Sequence, residues 1–256
     1  MVAEDSSMKN WQPVPHFGVK VLATYLLGYL ATNLTVFAIT WQANLSANTA
    51  NNLMKLSCAL TLLALSRWWL HLPLFKRPQH VSKAALIVLM IISLNLVTPN
   101  LHWGLFATAL VNSLCVGLLE EATSRGPILF WLWSKTPSRC SPYWWTAITS
   151  GIGFGLLHLT NYVANPDWIQ ILIQVGYAAV IGFTFAGLFM YTHNLWFTII
   201  AHSGFDTISG MNEVTVSHVG WNVPEVASLL LVVTVCLLIG IWLMKQLTGK
   251  HHDLQF

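Results

Sequence analysis

The sequence predicts an all-α fold: a polytopic membrane protein, a bundle of about eight transmembrane helices with almost no mass outside the bilayer. Of its 256 residues, 55% are hydrophobic and only 8% are charged, against roughly 25% charged in a soluble domain. The apolar residues lie in runs long enough to cross a hydrocarbon core, which takes about 20 residues of helix. The thirteen Trp suit a chain with many membrane–water interfaces, where such rings settle. The net charge of +3 is too small to point to nucleic acid, so no nucleic-acid partner is expected.

Apolar segments lie at about 17–41, 53–74, 84–98, 103–133, 144–160, 168–192, 195–212 and 223–246. Short polar or Pro-bearing connections separate them, such as Lys76-Arg77-Pro78 and Thr98-Pro99-Asn100. In lipid a backbone must satisfy its own hydrogen bonds, so these runs are helices. A β-barrel would instead show alternating segments of about ten residues. No repeat or low-complexity tract divides the chain, and residues 1–256 are expected to form a single membrane domain. The N-terminus carries Glu4 and Asp5, and the first apolar run is longer than a signal-peptide core, so the first helix is expected to be retained.

Positive charge sets the expected orientation. With eight crossings, Lys9, Lys76, Arg77, Lys83, Lys135, Arg139, Lys245 and Lys250 all fall on one side. The opposite loops, near 42–52, 99–102, 161–167 and 213–222, hold no Lys or Arg. The positive-inside rule then puts both termini in the cytoplasm. Cys58, Cys115 and Cys236 sit in apolar runs and Cys140 in a loop. They suggest no disulfide framework and read as packing residues.

Ionisable groups inside a span cost at least about 2.5–3.5 kcal/mol each on the insertion scale, and so default to functional candidates. Three clusters qualify: Glu120-Glu121 with Arg125 on the fourth segment, Phe154 with His158 on the fifth, and His202 with Asp206 on the seventh. Glu121 and Arg125 are four residues apart on one helical face and can neutralise each other. That leaves Glu120 on another stripe, with Ser113, Gly117 and Ser124. His202 and Asp206 share a face that Thr198 and Ser209 extend, and Gly151 and Gly155 line up with His158. At 1.5 Å per residue, Glu120 lies about 21 Å from the loop near residue 134 and His158 about 22 Å from that near 143. Asp206 and His202 lie about 18 and 12 Å from the turn near 194. Costly residues at similar depth on three helices are most economically explained by one shared buried site. The remaining histidines, His16, His71, His80, His102, His193, His218, His251 and His252, fall at helix ends or in loops and need no functional role.

These residues resemble the CPBP family, the intramembrane endopeptidases that include CAAX prenyl proteases and bacteriocin-processing, Abi-like enzymes. The family pattern is Glu-Glu-x-x-x-Arg, then Phe-x-x-x-His, then His-x-x-x-Asn or Asp. Here Glu120/Glu121/Arg125, Phe154/His158 and His202/Asp206 match it in order, over a protease-like core of about 103–212. Two positions depart from the commonest form: Ser124 stands where an aromatic usually precedes the Arg, and Asp206 stands where the eukaryotic prenyl-protein proteases have Asn.

The resemblance implies a glutamate-dependent peptidase cutting a membrane-associated protein or peptide. Its substrate classes include prenylated tails, leader peptides, signalling peptides and sorting tails. A prokaryotic cytoplasmic membrane is the expected location. Peptide hydrolysis needs an activated water and a donor for the developing oxyanion. Glu120, partnered by His158 through a water, is the expected general base, His202 the oxyanion donor, and Asp206 the group that orients or charges it. Glu121, Arg125 and Phe154 are structural support, with Glu121–Arg125 holding the helix in rotation. No cofactor is expected. Zinc is the alternative, since Glu, His and Asp are plausible ligands, although no His-Glu-x-x-His pair is present. A proton-coupled transporter, whose relay such residues could form, and a non-catalytic immunity or scaffold protein are the further alternatives.

Overall fold

The computed structural model describes residues 8, 11–42, 45–97, 101–164, 166–211 and 223–249. Glu4, Asp5, Lys9, Lys250, His218, His251, His252, the Thr98–Asn100 connection and the 213–222 loop lie outside the described residues. The helices are α1 (Phe17–Gln42), α2 (Ala47–Trp68), α3 (Val81–Ser93), α4 (Phe106–Thr123), α5 (Leu129–Ser134), α6 (Pro142–Leu157), α7 (Trp168–Thr192), α8 (Leu195–Met211) and α9 (Val223–Gly249). Among the described residues there is no β-strand, only an isolated bridge between Phe75 and Asn194. Because α4 and α5 are two parts of one interrupted rod, the nine α-helices among the described residues form eight rods.

Four rods are long and apolar enough to cross a membrane on their own account: Phe17–Ile39, Trp103–Ser134, Trp168–Thr192 and Val226–Gly249. The remainder are shorter, as α6 and α8 are, or carry polar residues, as α2 does with Asn51, Asn52, Lys55 and Arg67. Large apolar side chains stand exposed along the outer helices, including Val19, Leu22, Leu34 and Phe37 on α1 and Leu230 and Leu238 on α9. Patches of that extent need an apolar solvent. The protein is integral to the membrane.

Local signals set the helix ends. Ser46 caps α2 by accepting from the Thr49 amide at 3.2 Å, and Asp167 caps α7 by accepting from Ile169 and Gln170 at 2.9 and 3.1 Å, so each satisfies amides that a helix start leaves unpaired. Pro142 opens α6, where its missing N–H costs nothing. His193 ends α7 in the left-handed region at φ 56°.

Two segments depart from their expected form. The 53–74 run is not one helix, since α2 starts at Ala47 and stops at Trp68. The chain then runs non-helically with Leu70, Leu72 and Leu74 fully buried. It is held by the α7–α8 turn: Leu195 donates to the Leu74 carbonyl at 2.9 Å, Gln79 to the Thr192 carbonyl at 3.0 Å, and the Asn194 side chain to the Lys76 carbonyl at 2.7 Å. The 103–133 run is interrupted between α4 and α5 by a π turn, Ser124–Ile128, with Gly126 at φ −82°, ψ −125°. Pro127 lacks the amide a regular helix would need there, and such widened turns are frequent at functional sites.

Packing centres on two helix pairs, α4 with α8 and α6 with α7; α9 backs α7, and α2 lies between α1 and α4. The α6–α7 approach depends on glycine. A Cβ at Gly151 would lie 2.6 Å from the Ala179 carbonyl oxygen, and one at Gly155 would lie 2.5 Å from that of Val175. Small residues allow such backbone contact between helices in lipid. The Thr184 hydroxyl donates to the Cys236 carbonyl at 2.7 Å and ties α9 to the same helix. At the α7–α8 turn end, Trp11 packs edge-on to Phe17 and Phe130, and Phe130 to Phe189.

Candidate active site

The ionisable residues of α4 and α8 meet at His202. Its Nδ1 lies 3.0 Å from Glu121 Oε1, and its Nε2 lies 3.3 Å from Asp206 Oδ2 and 3.7 Å from Glu120 Oε2. With Nδ1–H donating to Glu121, the ring is fixed and Nε2 is turned toward the two remaining carboxylates. The i,i+4 spacing on α8 puts Asp206 one turn above His202, as helix geometry requires.

Glu121 does more than neutralise Arg125. Its Oε1 is 3.1 Å from Arg125 Nη1, with both side chains 0% exposed, and the same oxygen takes the His202 bond. The guanidinium continues into the bundle: Nη2 donates to the Gly182 carbonyl at 3.0 Å. Its plane lies over the rings of Phe154 and Phe185, 4.7 and 5.5 Å from their centroids. Phe154 is therefore a wall of the site, also set edge-on to His158 at 5.0 Å and to His202 at 5.9 Å.

Glu120 differs from its neighbour in environment. It keeps 33% of its side chain exposed, as does Asp206, and the contact to His202 is long. His158 caps α6 and starts the 3₁₀ turn His158–Val163. Its Nδ1–H donates to the Phe154 carbonyl at 2.9 Å, so Nε2 is the nitrogen left free to hold a water. His158 lies within electrostatic reach of Glu120. All seven expected residues thus belong to one neighbourhood, while Ser209 is exposed and lies outside it. Gly151 and Gly155 do not line the site but bring α6 onto α7.

Tyr177 and Gln174 of α7 were not singled out by spacing. Their side chains are hydrogen-bonded, and the Tyr177 phenol is in electrostatic reach of both Asp206 and Glu120. Asn161 Nδ2 donates to Gln174 Oε1 at 3.1 Å and joins this polar rim to the end of α6. The available signal is a set of three polar residues, Gln170, Gln174 and Tyr177, in an otherwise apolar half-helix. Nothing local tied them to the acidic cluster.

Among the described residues, no group of three or more His, Cys, Asp or Glu side chains is arranged to hold a metal ion. The arrangement offers a half-exposed carboxylate, an adjacent imidazole with a free nitrogen, and a second imidazole fixed by a buried carboxylate. That set can activate water and receive a negative oxygen. Residues 102–208 match the family model for Rce1-like proteins, described as type II CAAX prenyl endopeptidase Rce1-like. No curated protein and no solved structure matches the chain.

Proposed function

We propose, from the Rce1-like type II CAAX prenyl endopeptidase domain carried at residues 102–208, that this membrane protein is a glutamate-dependent intramembrane endopeptidase. Its substrate is a membrane-associated protein or peptide. The observation that carries the reading is the contrast between the two adjacent glutamates. Glu121 is sealed and doubly engaged, whereas Glu120 keeps a third of its side chain exposed.

In this mechanism a water is held between Glu120 and His158 Nε2. Glu120 takes one proton as the water oxygen bonds to the scissile carbonyl carbon. His202 acts as an imidazolium, its Nδ1–H on Glu121 and its Nε2–H donating to the oxygen that becomes negative, and Asp206 and Glu121 hold the ring in place. The tetrahedral centre then collapses, the C–N bond breaks, and protonated Glu120 returns its proton to the departing amine. Such a base contributes typically 10²–10⁴-fold. The Glu121–Arg125 pair stays out of the reaction and fixes the His202 ring.

The test is Glu120→Gln, which keeps volume and hydrogen bonding but removes basicity. A peptide that accumulates uncut in a strain lacking the chain serves as substrate for purified protein in lipid. Turnover should fall by about 10²–10⁴-fold at normal folded yield. A Glu120→Gln protein with native turnover would refute the assignment.

We further propose that the chain lies in a prokaryotic cytoplasmic membrane with both termini cytoplasmic. The support is Lys76, Arg77, Lys83, Lys135, Arg139 and Lys245 at one end of the bundle. Cys140, exposed in the α5–α6 loop, should react with an impermeant thiol reagent only after the membrane is opened. Labelling in intact cells would reverse the orientation.

A further inference from the structure

We infer that the cleft opens toward the extracytoplasmic half of the bilayer, so that a membrane-inserted peptide delivers its scissile bond to Glu120 from that side. This rests on the proposed protease reading and orientation, and it follows from which end of each helix meets the site.

One end of the bundle gathers the start of α1, the end of α2, the start of α3, the α5–α6 loop, the α7–α8 turn and the end of α9. It carries Lys20, Arg67, Lys76, Arg77, Lys83, Lys135, Arg139 and Lys245. The other end gathers the starts of α4 and α7 and the ends of α6 and α8, and there the His102 amide donates to the Met211 carbonyl at 2.9 Å. Lys55, two turns into α2, is the basic residue nearest this end among the described residues.

Glu120 stands midway along its rod, fourteen residues from Phe106 and from Ser134, and the other half-open polar groups of the site lie toward this second end. His158 terminates α6, and Asp206 is five residues from the last residue of α8. Gln174 and Tyr177 are six and nine residues from the start of α7, or about 9 and 14 Å along the helix. Burial along α7 has the same polarity. From Ile181 to Leu195 every residue is buried, whereas between Trp168 and Tyr177 only Ile171 is. Arg125, Phe185 and Phe154 close the floor of the cleft. The closest packing of α6 on the α4–α5 rod is at the π turn and at α5, both below Glu120 on the basic side.

The rim fits a peptide arriving through the outer leaflet. Leu157, Leu159, Val163 and Trp168 are exposed around it, and Tyr162 stacks on Trp168 at 4.1 Å, an aromatic pair of the kind that settles at a membrane interface. Within and beside the rim the ionisable groups are Glu120, Asp206, His158 and the α7 cap Asp167, with Tyr162 and Tyr177, and no described Lys or Arg. The opening is suited to a segment that is apolar on one side of the scissile bond and neutral or basic on the other. A tail displayed only on the cytoplasmic face would meet the closed floor.

The test uses a Gln174→Cys chain in which Cys58, Cys115, Cys140 and Cys236 are replaced by Ala or Ser, exposed to a sulfonated, membrane-impermeant maleimide. In intact cells it should label to the same extent as after permeabilisation. Labelling that appears only after permeabilisation, or in neither condition, overturns the inference. Should the Cys-replaced chain fail to accumulate, Gln174→Cys in the otherwise native chain is compared with the native chain, and Asn161→Cys provides a second reporter on the same rim. The Cys140 measurement reports orientation separately. A Glu120→Gln version labels alike, so failure of the protease reading leaves this result standing.

Discussion

Replacing Glu121 by Gln should damage folding more than chemistry. The carboxylate faces Arg125 Nη1 at 3.1 Å with both side chains fully buried, so removing its charge leaves a guanidinium without its counter-ion. Breaking one side of a buried pair costs about 3–5 kcal/mol. The Gly182 carbonyl and the faces of Phe154 and Phe185 still touch Arg125, but they are present in both proteins and replace nothing that was lost. Set against a total stability of about 5–15 kcal/mol, the change should lower folded yield sharply. Gln can still accept from His202 Nδ1–H, so molecules that fold should retain much of their turnover. Unfolding would be followed by Trp fluorescence as a denaturing detergent is mixed into the micelles. The Glu121→Gln/Arg125→Met double variant is the control. Removing both charges of a buried pair is often close to neutral, so the double variant should recover most of the stability. Glu121→Gln protein as stable as the native chain, or a double variant no better than the single, would refute the buried-pair account.

Gly155→Ala should cost about 1–3 kcal/mol, because its Cβ would lie 2.5 Å from the Val175 carbonyl; Gly153→Ala, with nothing within 4 Å, is the matched control. Equal yields for the two would show that α6 and α7 can separate without loss. Turnover should be unchanged by a strong chelator if Glu120 activates water without a metal, and loss of activity restored by zinc would favour the metalloprotease alternative.

Helical spacing and composition made much of the protein legible. The i,i+4 pairs Glu121–Arg125 and His202–Asp206 follow from the period of one helix, and the cost of charge in lipid marked Glu120 and His158 without any knowledge of their neighbours. The membrane class followed from low charge content and the length of the apolar runs. The rotation of each helix about its axis was not legible. Helices apolar all round carry no face signal in lipid, so nothing local showed that Glu121 turns its carboxylate to His202, or that Gln174 and Tyr177 of α7 look onto Asp206. The apolar run through Leu70, Leu72 and Leu74 has the same composition whether it continues a helix or lies extended in the core. Only hydrogen bonds from the distant α7–α8 turn decide between the two. The π turn, by contrast, has a local cause in Pro127, which lacks the amide a regular helix needs. A cleft exists only between helices, and its direction depends on where they touch, which single-helix periodicity does not contain.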